Sequence, residues 1–529
     1  MKIPSIELPK IKESEKTPLV LDLLQIIMQQ QKVIEQLEDE IKALKNHPEK
    51  PIIRPSVMDK NANSTPSTDS KAPKKNRPRR KKNTEIEIAQ TVKVKPQQIP
   101  SGSIFKGYQE YIVQDIIIQP NNTRYLLERW QTPDGTYIIA EVEEPIKGKH
   151  FGPTLVSFII HQYYHQHVTQ PLLLEQLREL GIDISAGQLH RILTEDQEQF
   201  HQEKEAILQA GCEVSDYLQT DDTGARHQGK NGYCTYIGNE LFAWFESTAS
   251  KSRVNFLELL NSTNQDYMVN AGALEYMQRQ GLPKAIIASL ETYGKCFETR
   301  EQWETHLKTI GVTGERHIKI ATEGALMGSL LSHGFSATMG IVSDDAGQFN
   351  VFEHALCWIH AERGINKLIP LDNSQRKAIS WARQQIWDLY ASLKAYKENP
   401  QDDQKVEIKA RFEETCNTTT KFETLNQTLK RLQKNRSELL LVLERPELPL
   451  HNNLSERDIR DYVKKRKISG GTRSDDGRRC RDTFASLKKT CRKHKISFWE
   501  YLKDRVARVN ALLPLPDVIR RAAATATKE

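Results

Sequence analysis

A chain of 529 residues is too long for a single hydrophobic core and implies roughly three to four domains. The formal charge of +7 is modest, and its clustering along the chain says more than its sum. Seven cysteines, odd in number and without a CxxC pair, argue against a disulfide framework. The start MKIPSIELPKIKESEK does not read as a signal peptide and no apolar run approaches the ~20 residues that cross a bilayer, so the expectation is a soluble, cytoplasmic protein with no membrane partner.

Residues 18–46 carry Leu23, Ile27, Ile34, Leu37, Ile41 and Leu44 at steps of four and three, with Gln30 in the one polar slot. This spacing predicts a parallel two-stranded coiled coil, and hence a homodimer or larger assembly, or else a single amphipathic helix packed on its own domain. Residues 47–100 form a basic linker expected to be disordered; KAPKKNRPRRKKN at 71–83 holds eight basic residues and no acid, suiting either an arm for phosphates or a solvated spacer. Residues 101–148 contain three β-branched runs, 111–119, 123–132 and 136–144, split by Asn121-Asn122 and Pro133-Asp134-Gly135, which predict a small β-meander.

Residues 149–210 turn helical, with Thr169 and Ser185 as caps, and suit a helix-turn-helix-like unit that presents Gln188, His190 and Arg191 to DNA or supports the next domain. His161, His165 and His167 lack acid or cysteine partners at ligand spacing and are assigned to packing and surface.

The stretch YLQTDDTG at 217–224 reads as a buried strand that stops at an acidic edge, with Gly224 marking the turn. Side chains alternate along a strand, so only one of Asp221 and Asp222 faces a given side. The runs 231–239 and 240–248, divided by Gly238 and Asn239, predict two further antiparallel strands. After a mostly helical segment at 252–337, MGIVSDD at 339–345 repeats the pattern and ends in Asp344 and Asp345. The following residues predict a helix on which His354, Cys357 and His360 recur every three positions; packing is expected of Cys357, and a phosphate contact of Arg363. Residues 366–448 read as an inserted helical subdomain.

In the last part of the core, 449–512, a helix from Asn453 places Glu456, Ile459, Arg460 and Val463 on one face, although Asn453 and Glu456 also have the spacing of a capping box. Arg457, Arg460, Lys464, Lys465, Arg466 and Lys467, then Arg473, Arg478, Arg479 and Arg481, have the charge of either a solvated face or a nucleic-acid groove, and their place beside that acid favours the groove. Residues 513–529 form a tail. Two strand-borne aspartates and a helical glutamate are the oxygen donors that Mg²⁺ (or Mn²⁺) prefers, and two such ions ~4 Å apart polarise both oxygens of an in-line phosphoryl displacement.

The motifs HFGPTLVSFIIHQYYHQHV with ISAGQL, TDDTG, SDDAGQF with CWIHAER, NNLSERDIR, and FASLKKT resemble, in this order, the DDE transposases of the insertion-sequence 66 type. The likeness covers roughly residues 149–502. It implies an α/β, RNase H-like catalytic core at 211–512 with helical insertions, and a nucleoid-associated enzyme acting on double-stranded DNA. By that likeness the catalytic acids, also the metal ligands, map onto Asp221, Asp344 and Glu456, with Asp222 and Asp345 as alternative members of their pairs. Relatives commonly carry a cysteine zinc-binding element ahead of the core; this chain has no such cluster, which marks a divergent branch. The expected activity is metal-dependent DNA cleavage and strand transfer. A nuclease or resolvase on the same core, or a DNA-binding protein that has lost catalysis, are the rival readings.

Overall fold

The computed structural model describes residues 87–262, 264–293 and 295–526. The candidate coiled coil at 18–46 and the basic cluster at 71–83 lie outside the described residues. The chain forms two units, Met1–Ser103 and Ile104–Glu529. In the first, residues 87–103 are exposed and contain no helix or strand.

In the second unit the expected meander is reduced to one short hairpin, β1 (Arg129–Gln131) against β2 (Tyr137–Ile139). Its turn is closed by Thr132, Asp134 and Thr136 around Gly135, whose φ of +88° is the left-handed conformation that glycine tolerates best. Residues 111–119 are exposed and have no strand partner: alternation supplies a side-chain pattern, but a strand also needs a neighbour and a buried face.

Helices Pro153–Ile160, Gln170–Glu179, Ala186–Thr194 and Glu198–Glu213 follow. Ser185 caps the third in a reciprocal capping box with Gln188, so Gln188 is committed to the backbone; Thr169 occupies an N-cap without a side-chain bond. His161 and His165 stack on each other, and His165 on Phe498, in the packing role expected of them.

The centre of the unit is a mixed five-stranded sheet. Strands β3 (Tyr217–His227), β4 (Lys230–Gly238) and β5 (Ala243–Thr248) are sequential and antiparallel. Strands β8 (Gly340–Ser343) and β9 (Glu353–Leu356) join β3 in parallel. The excursion between β5 and β8 is helical apart from a short pair, β6 (Tyr267–Met268) with β7 (Cys296–Phe297), and it packs into the main core through Trp303, Met277 and Leu326.

Two expectations are corrected here. β3 does not stop at Gly224 but runs on to His227, because its hairpin with β4 outlasts its pairing with β8. The segment after Asp345 is not one helix: a short turn at Gly347–Phe349 leads into β9, and the helix Trp358–Asn366 begins only after Cys357. His354, Cys357 and His360 therefore sit on a strand, a cap and a helix, and share no helical face.

The edge of the sheet is closed by the helix Asp475–Lys493. Asp482, Ser486 and Thr490 accept hydrogen bonds from the backbone N–H groups of Ser247, Phe245 and Ala243. Side chains four apart on a helix recur about every 6 Å and alternate strand residues about every 6.6 Å, so one helical stripe can satisfy a whole strand edge. Helices between Asn373 and Leu439 gather around a core built on Leu389, Leu393, Phe412, Leu425 and Leu429.

Candidate active site

The parallel register decides where the first two acids stand. Tyr217 pairs with Gly340 and Gln219 with Val342. Four residues on from the first of these pairs come Asp221 and Asp344, level with one another and of the same parity, beyond the point where β8 ends. Equal parity places both on one face of the sheet, and neighbouring strands are only about 4.8 Å apart. The position is the carboxyl end of β8, just past the last parallel pair that β3 makes with it.

Each pair of acids is split by its surroundings. Asp222 faces the other way and both its oxygens are used: Thr235 Oγ1 donates at 2.6 Å and Gln348 Nε2 at 2.8 Å. Asp345 is exposed and paired with Arg431 of the helical insertion. Among the described residues Asp221, by contrast, accepts only the N–H of Asp222, at 2.8 Å. Asp344 accepts the N–H of Ala346 at 3.2 Å. Among the described residues neither Asp221 nor Asp344 has a cationic partner within salt-bridge distance.

Glu456 arrives on the helix Asn453–Ser469. Its N-cap is Asn452, not Asn453, and Glu456 does not close a capping box; its side chain is turned inward. The helix start is fastened to the sheet by Trp358 N–H to Leu450 O at 3.0 Å, Asn452 N–H to Cys357 Sγ at 3.5 Å and Ser455 N–H to the Gln219 side chain at 3.4 Å. The carboxylate meets Arg363 Nη1 at 2.6 Å, with His360 Nε2 and Arg460 Nη2 each at 3.4 Å.

The electrostatics record that the acids share one region. Burial, followed by the charges of Asp344, Glu456 and Asp222, pushes Asp221 up to about 7. Burial also lifts Glu456, but Arg363 and then His360 and Arg460 outweigh it and hold that carboxyl below its ordinary range. Burial lowers His360 against the opposing pull of Glu456 and Asp344.

Oxygen donors without a cation suit a hard divalent ion in chemistry. They are not drawn into a finished cage: no group of three His, Cys, Asp or Glu side chains among the described residues is close enough to grip one ion, and Glu456 is engaged by Arg363.

The predicted basic groove is thinner than the sequence implied. Arg457, Arg460, Lys464 and Lys467 are exposed. Lys465 is buried, donates to Tyr163 O at 2.7 Å and lies over the Tyr163 ring, because its place in the helix faces the core. Arg466 donates to Thr223 and the Gly224 carbonyl and so ties its helix to β3. Arg481 is buried against Gly470 O, while Arg478 and Arg479 pair with Asp475 and Glu198.

Sequence reasoning named His360 without giving it a place beside Glu456, and missed Asn452. Asn452 is fully buried and its side chain lies against the His360 ring. The available signal is the doubled Asn452-Asn453, four and three residues ahead of Glu456.

A family model described as Transposase IS66 family matches residues 317–479, a span that includes Asp344, Arg363 and Glu456. "Uncharacterized protein y4jO" of Sinorhizobium fredii (strain NBRC 101917 / NGR234) is 42% identical over 303 residues, which cover 57% of this chain and 94% of the relative. No helix among the described residues is long and apolar enough to cross a membrane. The acid-bearing sheet and helix, the family match and the extent of the relative lead to one conclusion: this chain belongs to the IS66 family of transposases.

Proposed function

We propose that the protein cleaves DNA at the ends of an insertion sequence and joins the freed ends to a target, using Asp221, Asp344 and Glu456 to hold one or two Mg²⁺ or Mn²⁺ ions. The observation that carries this reading is the level placement of Asp221 on β3 and Asp344 just past β8, neither of them with a cationic partner among the described residues. The strand order β5-β4-β3-β8-β9, three antiparallel strands followed by two parallel ones, supports an RNase H-like core.

In this reading the chain's own groups position the DNA. Exposed Arg457, Arg460, Lys464 and Lys467 neutralise backbone phosphates along one helix, and the helical unit at 149–210 supplies further duplex contacts. Water, or a 3′-hydroxyl, attacks phosphorus in line as the opposite P–O bond breaks, and the departing oxygen takes up a proton from solvent. The bound cations supply Lewis acidity, lowering the pKa of the attacking oxygen and stabilising the leaving one. The heptads at 18–46 support a dimeric enzyme that brings two ends together.

The test is Mg²⁺-dependent cleavage and joining of the DNA that flanks the gene, with Asp221→Asn, Asp344→Asn and Glu456→Gln. Each is expected to lose both reactions while remaining folded; normal turnover in any one of them would overturn the assignment. Cleavage without joining would instead identify a nuclease or resolvase.

A further inference from the structure

Positive charge is distributed unevenly over the three acids. Glu456 is 15% exposed and is surrounded by Arg363, which reaches both of its oxygens at 2.6 and 3.4 Å, and by Arg460 at 3.4 Å. Arg363 and Arg460 are themselves 41% and 69% exposed, so the guanidinium groups stand between this carboxylate and solvent. Asp221 and Asp344 have no such neighbour among the described residues.

A guanidinium in two-point contact and a divalent ion on the same carboxylate repel one another at close range. Arg363 therefore neutralises Glu456 in the free protein and opposes entry of the ion there. A DNA phosphodiester offers a guanidinium the same forked, anionic pair of acceptors as a carboxylate does. Arg363 projects from the helix Trp358–Asn366, which begins directly after β9 at the acid-bearing end of the sheet, and its partial exposure lets it turn outward without unpacking the core.

We propose that Arg363 is a latch that exchanges Glu456 for a backbone phosphate, so that duplex DNA and divalent cation bind this site cooperatively. The proposal rests on the acid assignment given above. Arg363 acts here as a positioning residue: bound to phosphate, it releases Glu456 to complete the ion's ligands, and the ion in turn favours the phosphate-bound state. Such coupling is reciprocal by thermodynamic necessity.

The experiment measures Mn²⁺ affinity of the full-length protein by calorimetry and by the electron paramagnetic resonance of free Mn²⁺, without DNA and with a pre-cleaved duplex from the flanking sequence. The wild type is expected to bind Mn²⁺ weakly when free and about tenfold more tightly with the duplex. Arg363→Gln is expected to bind Mn²⁺ tightly without DNA, to gain nothing from the duplex, and to bind the duplex less well. Arg363→Lys, which keeps the charge but not the fork, is expected to lie between them. Free Arg363→Gln binding Mn²⁺ no more tightly than wild type, with unchanged melting, overturns the latch, as does a wild type indifferent to the duplex. Loss of binding in Asp221→Asn and Glu456→Gln separates these failures from a failure of the acid assignment, in which those two variants bind Mn²⁺ as the wild type does.

Discussion

Gln348 Nε2 donates to Asp222 at 2.8 Å, and this one bond joins the turn after β8 to the side of β3 that Asp221 does not face. Asp222 is thereby a strut between β3 and the turn after β8, whereas Asp345 lies out on the surface paired with Arg431.

The four aspartates are accordingly expected to separate on mutation. Asp345→Asn gives up an exposed ion pair, costs under about 1 kcal/mol, and leaves cleavage within about twofold of wild type. Asp222→Ala leaves Thr235 and Gln348 without their acceptor and costs about 1–3 kcal/mol of stability. Chemical denaturation alongside the cleavage assay distinguishes a folding loss from a catalytic one. An inactive but fully stable Asp345→Asn would overturn the division drawn here.

Activity should depend on pH through Asp221. Its carboxyl holds a proton up to about 7 in the folded protein, against an ordinary value of 3.8. Protons compete with a divalent ion for the carboxylate, so Mg²⁺-dependent activity at limiting Mg²⁺ should fall about tenfold per pH unit below about 7. The folded state binds the extra proton, so stability declines as pH rises from about 4 to about 7 and is level above that. Asp221→Asn removes the buried charge and is predicted to be about 1–4 kcal/mol more stable than wild type at pH 8, with the gap closing near pH 4. Melting curves of the metal-free proteins at both pH values check this.

DNA affinity should follow exposure and not the count of basic residues. Lys464→Gln with Lys467→Gln removes two solvent-facing charges and should weaken duplex binding, reducing the slope of log affinity against log salt by about 1.8. Lys465→Met, at the buried position over Tyr163, should leave that slope unchanged. Filter binding across a salt series reads both.

The helix that closes the sheet edge gives a stability prediction independent of catalysis. Asp482 is fully buried and accepts from Ser247 N–H and Oγ and from Tyr462, at 2.8 to 3.0 Å. Asp482→Ala strands the N–H of Ser247 and leaves the Ser247 and Tyr462 hydroxyls only each other at 2.9 Å, and is predicted to cost about 2–4 kcal/mol, whereas Ser486→Ala strands the N–H of Phe245 and should cost about 1–3 kcal/mol. Hydrogen exchange at Phe245 and Ser247 would report the opened edge directly.

The sequence by itself determined the order of strands and helices around the acids, because hydrophobic period and turn residues are local: the hairpins about Asn239 and Gly135, the strand before Asp344 and the helix bearing Glu456 were all legible. It also carried the family motifs. It could not say which aspartate of each pair faces the crevice, since that depends on the β3–β8 register, a contact between residues more than a hundred positions apart. Nor could it split the basic run into exposed Lys464, buried Lys465 and anchoring Arg466, or turn the segment around His354 from helix to strand. Those outcomes were decided by which partner each backbone edge and charge found on folding, and only the tertiary structure holds that information.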